Sequence, residues 1–367
     1  MIEIKYQLTG EILKIDFFWL RDHCRCQHCY NTETKQRKYN LFELPADVRP
    51  KTSKYSKDGM CFEVTWSDGH DSTYDLQFIY DAQLEQLVKR QLNNSSQTQW
   101  NRGIVLQNER HMRVELSQLV SSDQAVYQLV ESLVRYGIAF VDKIPPNPTM
   151  TELAVRRVFP IMKTFFGEMY TFCDVPEHAD TAYTKEYLGS HTDNTYFCDA
   201  AGLQALHCIV HEGGAGGENF FVDGLHVANE LKRRNPHAFE LLTRIQVPAE
   251  FIEDNEHHKH SAPIISIDPL TSDIIQLRLN IYDRAALNTL PQEQMQEFYT
   301  SFRELLAIVE SGDNRWTFKL HPGTMVIFDN WRVLHGRCAY TGFRKVTGCY
   351  VLRTDFLSKA RLLGIID

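Results

Sequence analysis

Polar and apolar residues alternate in two stretches of the first hundred positions. Residues 13–17 and 62–66 carry apolar side chains at every second position, which predicts strands with one buried face. The sequence Ser-Asp-Gly at 67–69 follows the second stretch and predicts the turn of a β-hairpin. Residues 1–95 are therefore expected to form a small β-rich domain.

A polar segment then interrupts the pattern. Residues 93–97 read Asn-Asn-Ser-Ser-Gln, the composition of a linker, and follow a short amphipathic helix predicted around 84–88. The connection as a whole is predicted at 81–111. The second domain is expected to occupy residues 105–367.

In the second domain, some segments have the apolar periodicity of helices and others have that of strands. A helix is predicted over 121–134, with Ser121 and Gln124 as a capping box at its start and Gly137 at its end. The other predicted elements are helices at 151–166 and 291–310 and strands at 138–141, 202–210, 218–223, 264–268, 274–279, 324–328 and 346–352. Many strands with a few outer helices are typical of a jelly-roll sandwich or barrel, a mainly β fold with flanking helices in the α+β class.

Composition narrows the class of protein. The chain has 367 residues, of which 43% are hydrophobic and 23% are charged, as in an ordinary globular protein. A net charge of −8 argues against a general nucleic-acid binder, and the chain contains no apolar run long enough to predict a membrane span. The first residues resemble neither a signal peptide nor a transit peptide. A cytoplasmic location is therefore expected, with the mitochondrial matrix as the alternative for a processed form.

A histidine and a carboxylate two residues apart provide the first candidate chemistry. His191 and Asp193 would leave an extended strand on the same face, and His335 follows in a later apolar segment. Two histidines and one carboxylate on one side of a metal leave coordination positions open, which suits Fe(II) in oxygen chemistry. For the His-x-Asp pair alone, the alternative is a turn aspartate beside a hydrogen-bonded histidine.

Three of the nine cysteines crowd into one short segment. Cys24, Cys26 and Cys29, together with His70 after the predicted hairpin turn, would complete a Cys₃His site for structural zinc. The two histidines inside the segment are rival fourth ligands, and free buried cysteines are the alternative to any metal. Clustered rather than evenly spaced cysteines suit a reducing intracellular compartment.

An arginine and a group of aromatic residues could line a binding site. Arg344 lies nine residues after His335, where it could hold a dicarboxylate at two oxygens; a surface arginine is the alternative. Aromatic faces around a cavity can hold a quaternary ammonium group, although most aromatic residues belong to a core. The aromatic candidates are Phe165, Phe166, Tyr170, Phe172, Tyr183, Tyr187, Tyr196, Phe197 and Tyr350.

Four motifs together resemble one enzyme family. They are the segment 19–29 with His70, the segment 180–193, the segment 216–224 and the segment 329–337. In these motifs the chain resembles, over nearly its whole length, the Fe(II)- and 2-oxoglutarate-dependent oxygenases of carnitine biosynthesis, the family of γ-butyrobetaine dioxygenase and trimethyllysine dioxygenase. The resemblance implies a double-stranded β-helix behind a small zinc-binding N-terminal domain, assembled as a homodimer.

The resemblance also implies roles for individual residues. His191, Asp193 and His335 match the family's iron ligands, and Arg344 matches its arginine for the co-substrate 2-oxoglutarate. Cys24, Cys26, Cys29 and His70 match its zinc ligands, and ascorbate would keep the iron reduced. The expected substrate contacts are Asp180, Tyr183, Tyr350, Tyr170, Phe166, Tyr196 and Arg284.

Asp180 favours the trimethyllysine branch of the family, because the γ-butyrobetaine enzymes have an asparagine at this place. A carboxylate there can pair with one of the two cationic groups of trimethyllysine. The expected reaction is hydroxylation of N6,N6,N6-trimethyl-L-lysine at C3 with O₂ and 2-oxoglutarate, giving succinate and CO₂ in the first step of carnitine biosynthesis. Two alternatives stay open: hydroxylation of γ-butyrobetaine, and a non-catalytic binding module of the same fold.

Overall fold

The computed structural model describes residues 1–93, 97–173 and 184–366. The chain divides into two compact units, Met1–Asn93 and Asn94–Asp367. Among the described residues, none of the helices combines the length and the apolar character needed to cross a membrane.

Over the residues that the structure describes, the first unit combines short antiparallel strands with three α-helices. Its elements are β1 (Ile2–Lys5), β2 (Ile12–Ile15), α1 (Phe17–Asp22), β3 (Tyr30–Asn31), β4 (Gln36–Arg37), β5 (Pro50–Tyr55), β6 (Cys61–Trp66), β7 (Asp71–Asp75), α2 (Leu76–Asp81) and α3 (Leu84–Asn93). β5, β6 and β7 form one sheet, and the pairing of β6 with β7 confirms the predicted hairpin. Phe62, Val64 and Trp66 are buried at alternate positions of β6, as the pattern predicted.

The second unit contains the longer elements. They are α4 (Arg102–Asn108), β8 (Arg113–Glu115), α5 (Leu116–Ser121), α6 (Asp123–Tyr136), β9 (Ile138–Asp142), α7 (Pro148–Arg156), β10 (Tyr170–Phe172), β11 (Leu188–His191), β12 (Leu203–Glu212), β13 (Asn219–Asp223), α8 (Gly224–Arg234), α9 (Pro236–Arg244), β14 (Val247–Glu253), β15 (Glu256–Ala262), β16 (Ile265–Ile267), β17 (Ile274–Leu277), α10 (Gln292–Val309), β18 (Trp316–Phe318), β19 (Thr324–Asp329), β20 (Val333–Arg337), β21 (Phe343–Val351) and α11 (Arg353–Leu362).

Two facing sheets form the centre of this unit. The larger has the order β10-β21-β12-β19-β9-β8, and the smaller has the order β11-β20-β13-β18. Along the chain, β10, β12, β19 and β21 of the larger sheet alternate with β11, β13, β18 and β20 of the smaller, except that β13 and β18 follow one another within one sheet. This alternation is the topology of a double-stranded β-helix, the jelly roll predicted from the sequence.

The two faces of each strand bury their side chains in different cores. Phe328 of β19 meets Phe221 of β13 between the sheets, with ring centroids 4.9 Å apart. Their chain neighbours point the other way: Ile327 packs with α6, α7 and α11, and Val222 packs with α8, α9 and α10. Because both faces are covered, these strands are apolar at nearly every position, which is why they read as buried runs in the sequence.

The ends of α6 follow from its capping residues. Gly137 has φ +75° and its N–H donates to the Leu133 carbonyl over 2.9 Å, so the predicted end of this helix is confirmed. The N-terminal capping residue of α6 lies one position later than predicted. Ser122 accepts the hydrogen bond from the Gln124 N–H, because Ser121 is the last residue of the preceding helix, α5.

The helix predicted at 151–166 is wrong in its second half. α7 runs only from Pro148 to Arg156, with Asn147 accepting from the Met150 N–H at its start. Pro160 has no N–H to donate and disfavours a helical conformation at the residue before it. The chain therefore leaves the helix before Pro160 and enters the irregular segment that leads to β10.

A buried ion pair joins several parts of the second unit. Arg332 donates through Nε and Nη2 to the two carboxylate oxygens of Asp223, each over 2.9 Å, and both side chains are almost fully buried. Asp223 also accepts from the N–H of Leu225, in the first turn of α8, and from the N–H of Trp100. Residues 97–104, which the sequence predicted as part of the connection, therefore belong to the second unit.

We expect Asp223→Asn to lower the free energy of unfolding by about 3 to 5 kcal/mol, because it leaves the Arg332 charge buried without its partner. Urea denaturation would measure this loss. Arg156→Ala is the matched control: its ion pairs with Glu152 and Glu168 lie at the surface, and we expect a change of about 1 kcal/mol or less. Equal losses in both variants would contradict this account of the buried pair.

Candidate active site

The two predicted metal-binding segments are neighbouring strands. β11 ends at His191 and pairs antiparallel with β20, and His191 lies directly opposite His335 in this pairing. Residues opposite each other in an antiparallel pair have their side chains on the same face of the sheet. Asp193 follows two residues later, where its N–H donates to Asn330 Oδ1 over 2.8 Å and its carbonyl accepts from Asn330 Nδ2 over 3.1 Å.

The donor atoms of these three side chains converge. Asp193 Oδ1 lies 3.2 Å from His191 Nε2 and 3.6 Å from His335 Nε2. Two ligands about 2.1 Å from one metal ion, at right angles, lie about 3 Å apart, so the three groups can share an ion. Two imidazoles and one carboxylate form the facial triad typical of non-haem Fe(II) oxygenases, with open positions left for other ligands.

The pKa shifts of Asp193 and His335 favour the protonation states of metal ligands. Burial alone raises the pKa of Asp193, but His335 and His191 outweigh it and hold this pKa well below its usual range. Burial, with help from His191, lowers the pKa of His335 to about 3, so its imidazole is neutral. The hydrogen bond with Asp193 raises the pKa of His191 against the effect of burial. His191 Nδ1 lies 2.8 Å from the Gly189 carbonyl, an arrangement that leaves Nε2 for the metal.

The triad opens into a cavity of about 980 Å³, its mouth included, and aromatic rings line one part of it. Tyr350 donates from its hydroxyl to Asp193 Oδ2 over 2.7 Å, and its ring lies 5.1 Å from that of Tyr170. The ring centroid of Phe166 lies 6.4 Å from that of Tyr170, and Tyr196 also lines the cavity. These four predicted substrate contacts are therefore brought together beside the metal triad.

Tyr170 can reach this position because it faces a glycine. In the pairing of β10 with β21, Tyr170 lies opposite Gly348. A Cβ atom at Gly348 would come within 2.7 Å of Cε2 of the tyrosine ring and within 2.5 Å of the Ala205 carbonyl. The tyrosine hydroxyl accepts from Gln204 Nε2 over 2.9 Å, which fixes the ring in the cavity.

Arg344 places a buried positive charge in the same cavity. Its side chain is only 4% exposed, and Nη2 donates to Asn219 Oδ1 over 3.2 Å. Burial, and then the nearby Arg337, lower its pKa to about 10, which still leaves it charged near neutral pH. In the part of the chain that the structure describes, no carboxylate lies within ion-pair distance of Arg344, so it is suited to bind an anion from solution.

A polar loop after β17 forms another part of the lining. Asn280, Tyr282 and Asp283 face the cavity, and Tyr282 accepts at its hydroxyl from the Gly189 N–H over 2.7 Å. Arg284 does not line the cavity: its guanidinium lies over the Phe302 ring, 5.4 Å from the centroid. The predicted contacts Asp180 and Tyr183 lie outside the described residues.

The predicted zinc ligands of the first unit also come together. His70 Nε2 lies 3.3 Å from the sulfur of Cys24 and 3.5 Å from those of Cys26 and Cys29. A tetrahedral zinc ion with bonds of about 2.3 Å to sulfur and about 2.0 Å to nitrogen would separate them by about 3.5 Å, so the four groups could hold one ion. The rival His23 instead has its Nδ1 2.7 Å from the Trp19 carbonyl.

Comparison with known proteins identifies the family. Residues 84–350 match the family described as Taurine catabolism dioxygenase TauD, TfdA family, and residues 1–80 match Gamma-butyrobetaine hydroxylase-like, N-terminal. Trimethyllysine dioxygenase, mitochondrial, of Homo sapiens is 36% identical, over 99% of this chain and 85% of its own length. Trimethyllysine dioxygenase of Meyerozyma guilliermondii is 31% identical, over 97% of this chain and 92% of its own length. The chain belongs to the trimethyllysine dioxygenase family, within the TauD, TfdA dioxygenases.

The fold agrees with this family. A crystal structure of a taurine dioxygenase from Burkholderia xenovorans matches with a TM-score of 0.50 at 14% identity, over 65% of this chain and 84% of that one. Together with the His191, Asp193 and His335 site, the fold makes this chain a dioxygenase that depends on Fe(II) and 2-oxoglutarate.

Several polar residues that support the oxygenase site were not predicted from the sequence. Asn219 orients Arg344, Asn330 holds the backbone of Asp193, and Tyr282 holds that of Gly189. A pattern of polar and apolar residues does not distinguish a buried amide from one in a turn. The available indication was Asn219 itself, a single amide directly before the apolar run at 220–222.

We expect His191→Ala to weaken Fe(II) binding by about 100-fold or more, because losing a ligand should cost at least as much as losing one of its supporting partners. Iron content after anaerobic loading, together with succinate formation from 2-oxoglutarate, would measure the effect, and circular dichroism would confirm a folded chain. His237→Ala, at the surface beside Glu297, is the matched control. Full iron content and succinate formation in His191→Ala would overturn the ligand assignment.

Proposed function

We propose that this dioxygenase hydroxylates C3 of N6,N6,N6-trimethyl-L-lysine, consuming O₂ and 2-oxoglutarate and releasing succinate and CO₂. The observation that carries the proposal is one cavity in which aromatic rings and a buried arginine both face the His191, Asp193 and His335 triad. The relatives named trimethyllysine dioxygenase support this choice of substrate.

Different side chains would bind the co-substrate and the trimethylammonium group of the substrate. Fe(II), with 2-oxoglutarate and O₂, would supply the oxidation that converts a C–H bond into C–OH. Arg344 would bind the distal carboxylate of 2-oxoglutarate, since two N–H groups of a guanidinium match two carboxylate oxygens. The faces of Tyr170, Tyr350 and Phe166 would hold the trimethylammonium group, which has no N–H to donate. The contribution of the chain is to hold C3 beside the metal site while the rest of the substrate stays fixed.

The Tyr350 hydroxyl links substrate binding to the metal site. It donates to Asp193 Oδ2, while Oδ1 of the same carboxylate faces both histidines. One oxygen is thereby kept for the metal, and the aromatic ring is held at a set distance from it. Burial raises the pKa of Tyr350 well above its usual range, so the hydroxyl keeps its proton for this hydrogen bond.

We further propose that Cys24, Cys26, Cys29 and His70 bind a structural zinc ion. The support comes from their geometry and from Arg21, which donates to the Cys29 sulfur and pairs with Asp68 over 3.0 Å. A closed set of four protein ligands leaves no position for a substrate, as expected of a structural site.

Three further parts of the expected function stay predictions. Ascorbate would keep the iron reduced, and the active chain would be a homodimer. For the compartment, the sequence predicts the cytoplasm with the mitochondrial matrix as the alternative, and the human relative is named mitochondrial.

Turnover with two substrates tests the proposed reaction. We expect a product 16 mass units heavier from trimethyllysine and much less from γ-butyrobetaine, when each is offered with Fe(II), 2-oxoglutarate and ascorbate. Mass spectrometry would measure both products. Product from γ-butyrobetaine alone would overturn the substrate assignment, and product from neither, with iron bound, would overturn the proposed function.

We expect Cys26→Ser to lose the zinc ion and to unfold at a lower temperature, because metal binding contributes free energy to folding. Metal content and thermal unfolding would measure both effects. Cys61→Ser is the matched control, since Cys61 lies in the same unit outside the cluster. A wild-type protein that folds normally and contains no zinc after growth with zinc would contradict the metal assignment.

A further inference from the structure

We propose that the side-chain carbonyl of Asn194 accepts a hydrogen bond from the α-ammonium group of the substrate. Asn194 would thereby favour trimethyllysine over trimethylammonium compounds that lack this group. The inference rests on the proposed function and names a residue that determines the choice of substrate. Asn194 lines the cavity and directly follows the triad residue Asp193.

Asn194 presents a buried acceptor that the protein itself leaves unused. The residue is only 2% exposed, and no described residue forms a hydrogen bond with its Oδ1. A buried carbonyl without a donor has lost the hydrogen bonds that water provides in the unfolded chain, so such groups are rare in folded proteins. Because Asn194 lines the cavity, a bound molecule can supply the missing donor.

Two other amides of the cavity lining have their carbonyls in use. Asn219 Oδ1 accepts from Arg344 Nη2 over 3.2 Å, and Asn280 Oδ1 accepts from the Tyr282 N–H over 2.9 Å. Burial of an amide in this cavity therefore does not by itself leave its carbonyl without a partner. The unused acceptor of Asn194 calls for a reason of its own.

Gln204 also lines the cavity with a carbonyl that has no described partner. It lies among the aromatic rings, since its Nε2 donates to the Tyr170 hydroxyl over 2.9 Å and its backbone pairs with Tyr350. These rings are the ones that we propose to hold the trimethylammonium group. Gln204 is therefore placed at that end of the substrate, which leaves Asn194 for the other end.

The backbone fixes the position of the Asn194 acceptor. Asn194 has φ +59°, in the left-handed region, which asparagine adopts more readily than most residues other than glycine. Its backbone carbonyl accepts from the Phe197 N–H over 2.9 Å. Asn330 holds the backbone of Asp193 on the preceding side. The amide therefore extends from a backbone that is held on both sides.

The proposed reaction brings one group with N–H donors into the cavity. 2-Oxoglutarate carries carboxylates and a keto group, which are acceptors, and the trimethylammonium group has no N–H. The α-ammonium group of trimethyllysine, like the ammonium group of lysine, carries N–H donors and no acceptor. An unused acceptor in this cavity therefore matches the α-ammonium group.

The position of C3 in the substrate agrees with this assignment. The α-ammonium group is bonded to the carbon next to C3, so it must lie near the metal site when C3 is hydroxylated. Asn194 is the residue after Asp193, whereas the trimethylammonium group at the far end of the side chain can reach the aromatic rings. γ-Butyrobetaine has no N–H and would leave Oδ1 of Asn194 without a partner, which disfavours its binding.

Two substrates that differ only in the α-amino group test this inference: trimethyllysine and 6-(trimethylammonio)hexanoate. We expect Asn194→Gly to lower the ratio of their kcat/KM values by about 10- to 100-fold, because a hydrogen bond to a charged group is lost for trimethyllysine alone. Glycine adopts φ +59° without strain, which alanine does not. Asn194→Asp keeps an acceptor oxygen and should keep most of the ratio. Iron content, measured in each variant, would confirm that the triad is intact.

Two further variants serve as controls. Ser272→Gly changes an exposed residue that also has a positive φ, +61°, and should leave the ratio unchanged. Gln204→Met removes the other unused carbonyl and should lower kcat/KM for both substrates alike, since both carry the trimethylammonium group. A ratio that falls in Gln204→Met and stays constant in Asn194→Gly would overturn the assignment to Asn194.

Binding gives a second measurement that does not depend on turnover. Anaerobic calorimetry with Fe(II) and 2-oxoglutarate should show a raised Kd for trimethyllysine in Asn194→Gly, with a much smaller change for the hexanoate. An equal loss for both substrates would mean that Asn194 supports the cavity or binds a group that both share. An unchanged ratio would mean that it does not contact the α-ammonium group. Either result overturns this inference and leaves the proposed reaction standing.

The wild-type enzyme separates this inference from the proposed function. If it hydroxylates trimethyllysine, the proposed function stands and the variants decide the role of Asn194. If the iron-loaded wild type turns over neither probe, the proposed function fails, and the role assigned to Asn194 fails with it.

Discussion

The pairing of β11 with β20 is the constraint on which the oxygenase site depends. It sets His191 opposite His335, and the side chains of a strand alternate between its two faces. A shift of one residue in either strand would turn one histidine away from the other. The register is irregular between Leu188 and His191, and such irregularities commonly re-aim a side chain near an active site. Asn330 completes the arrangement by binding the backbone of Asp193.

The same alternation connects the core to the cavity. In β21, Val346 packs between the sheets while Cys349 and Val351 pack against the outer helices. Arg344 and Tyr350 lie at the alternate positions shared with Val346, and both line the cavity. The apolar residues that stabilise the sandwich therefore also determine the direction in which these polar side chains point. A substitution that repacks this strand would disturb the core and the site together.

The buried charges of Arg332, Asp223 and Asp193 are tolerated because each has suitable partners. Arg332 and Asp223 neutralise each other, and Asp193 is surrounded by two imidazoles and a tyrosine hydroxyl. Arg344 differs, since its described hydrogen-bond partner is the neutral Asn219. A buried charge with a neutral partner costs free energy that a bound anion can recover. Stability and anion binding are therefore expected to be linked at Arg344, the residue that we propose to bind 2-oxoglutarate.

Residue types and their local spacing predicted several features of this protein. The alternation of polar and apolar residues predicted β6, and apolar runs predicted the buried strands. Gly137 predicted the end of α6, and residue types predicted the His191, Asp193 and His335 triad. Residue types left open which histidine joins the cysteines, and the family resemblance assigned Arg284 to the substrate. Only the tertiary structure brought His70 to Cys24, and only the loop after β17 turned Asp283 into the cavity and set Arg284 over Phe302. The reason is physical: residue type and spacing determine what a side chain can bind and the local backbone it favours. Its actual partner is determined by strand register and loop contacts between segments that are distant in the chain.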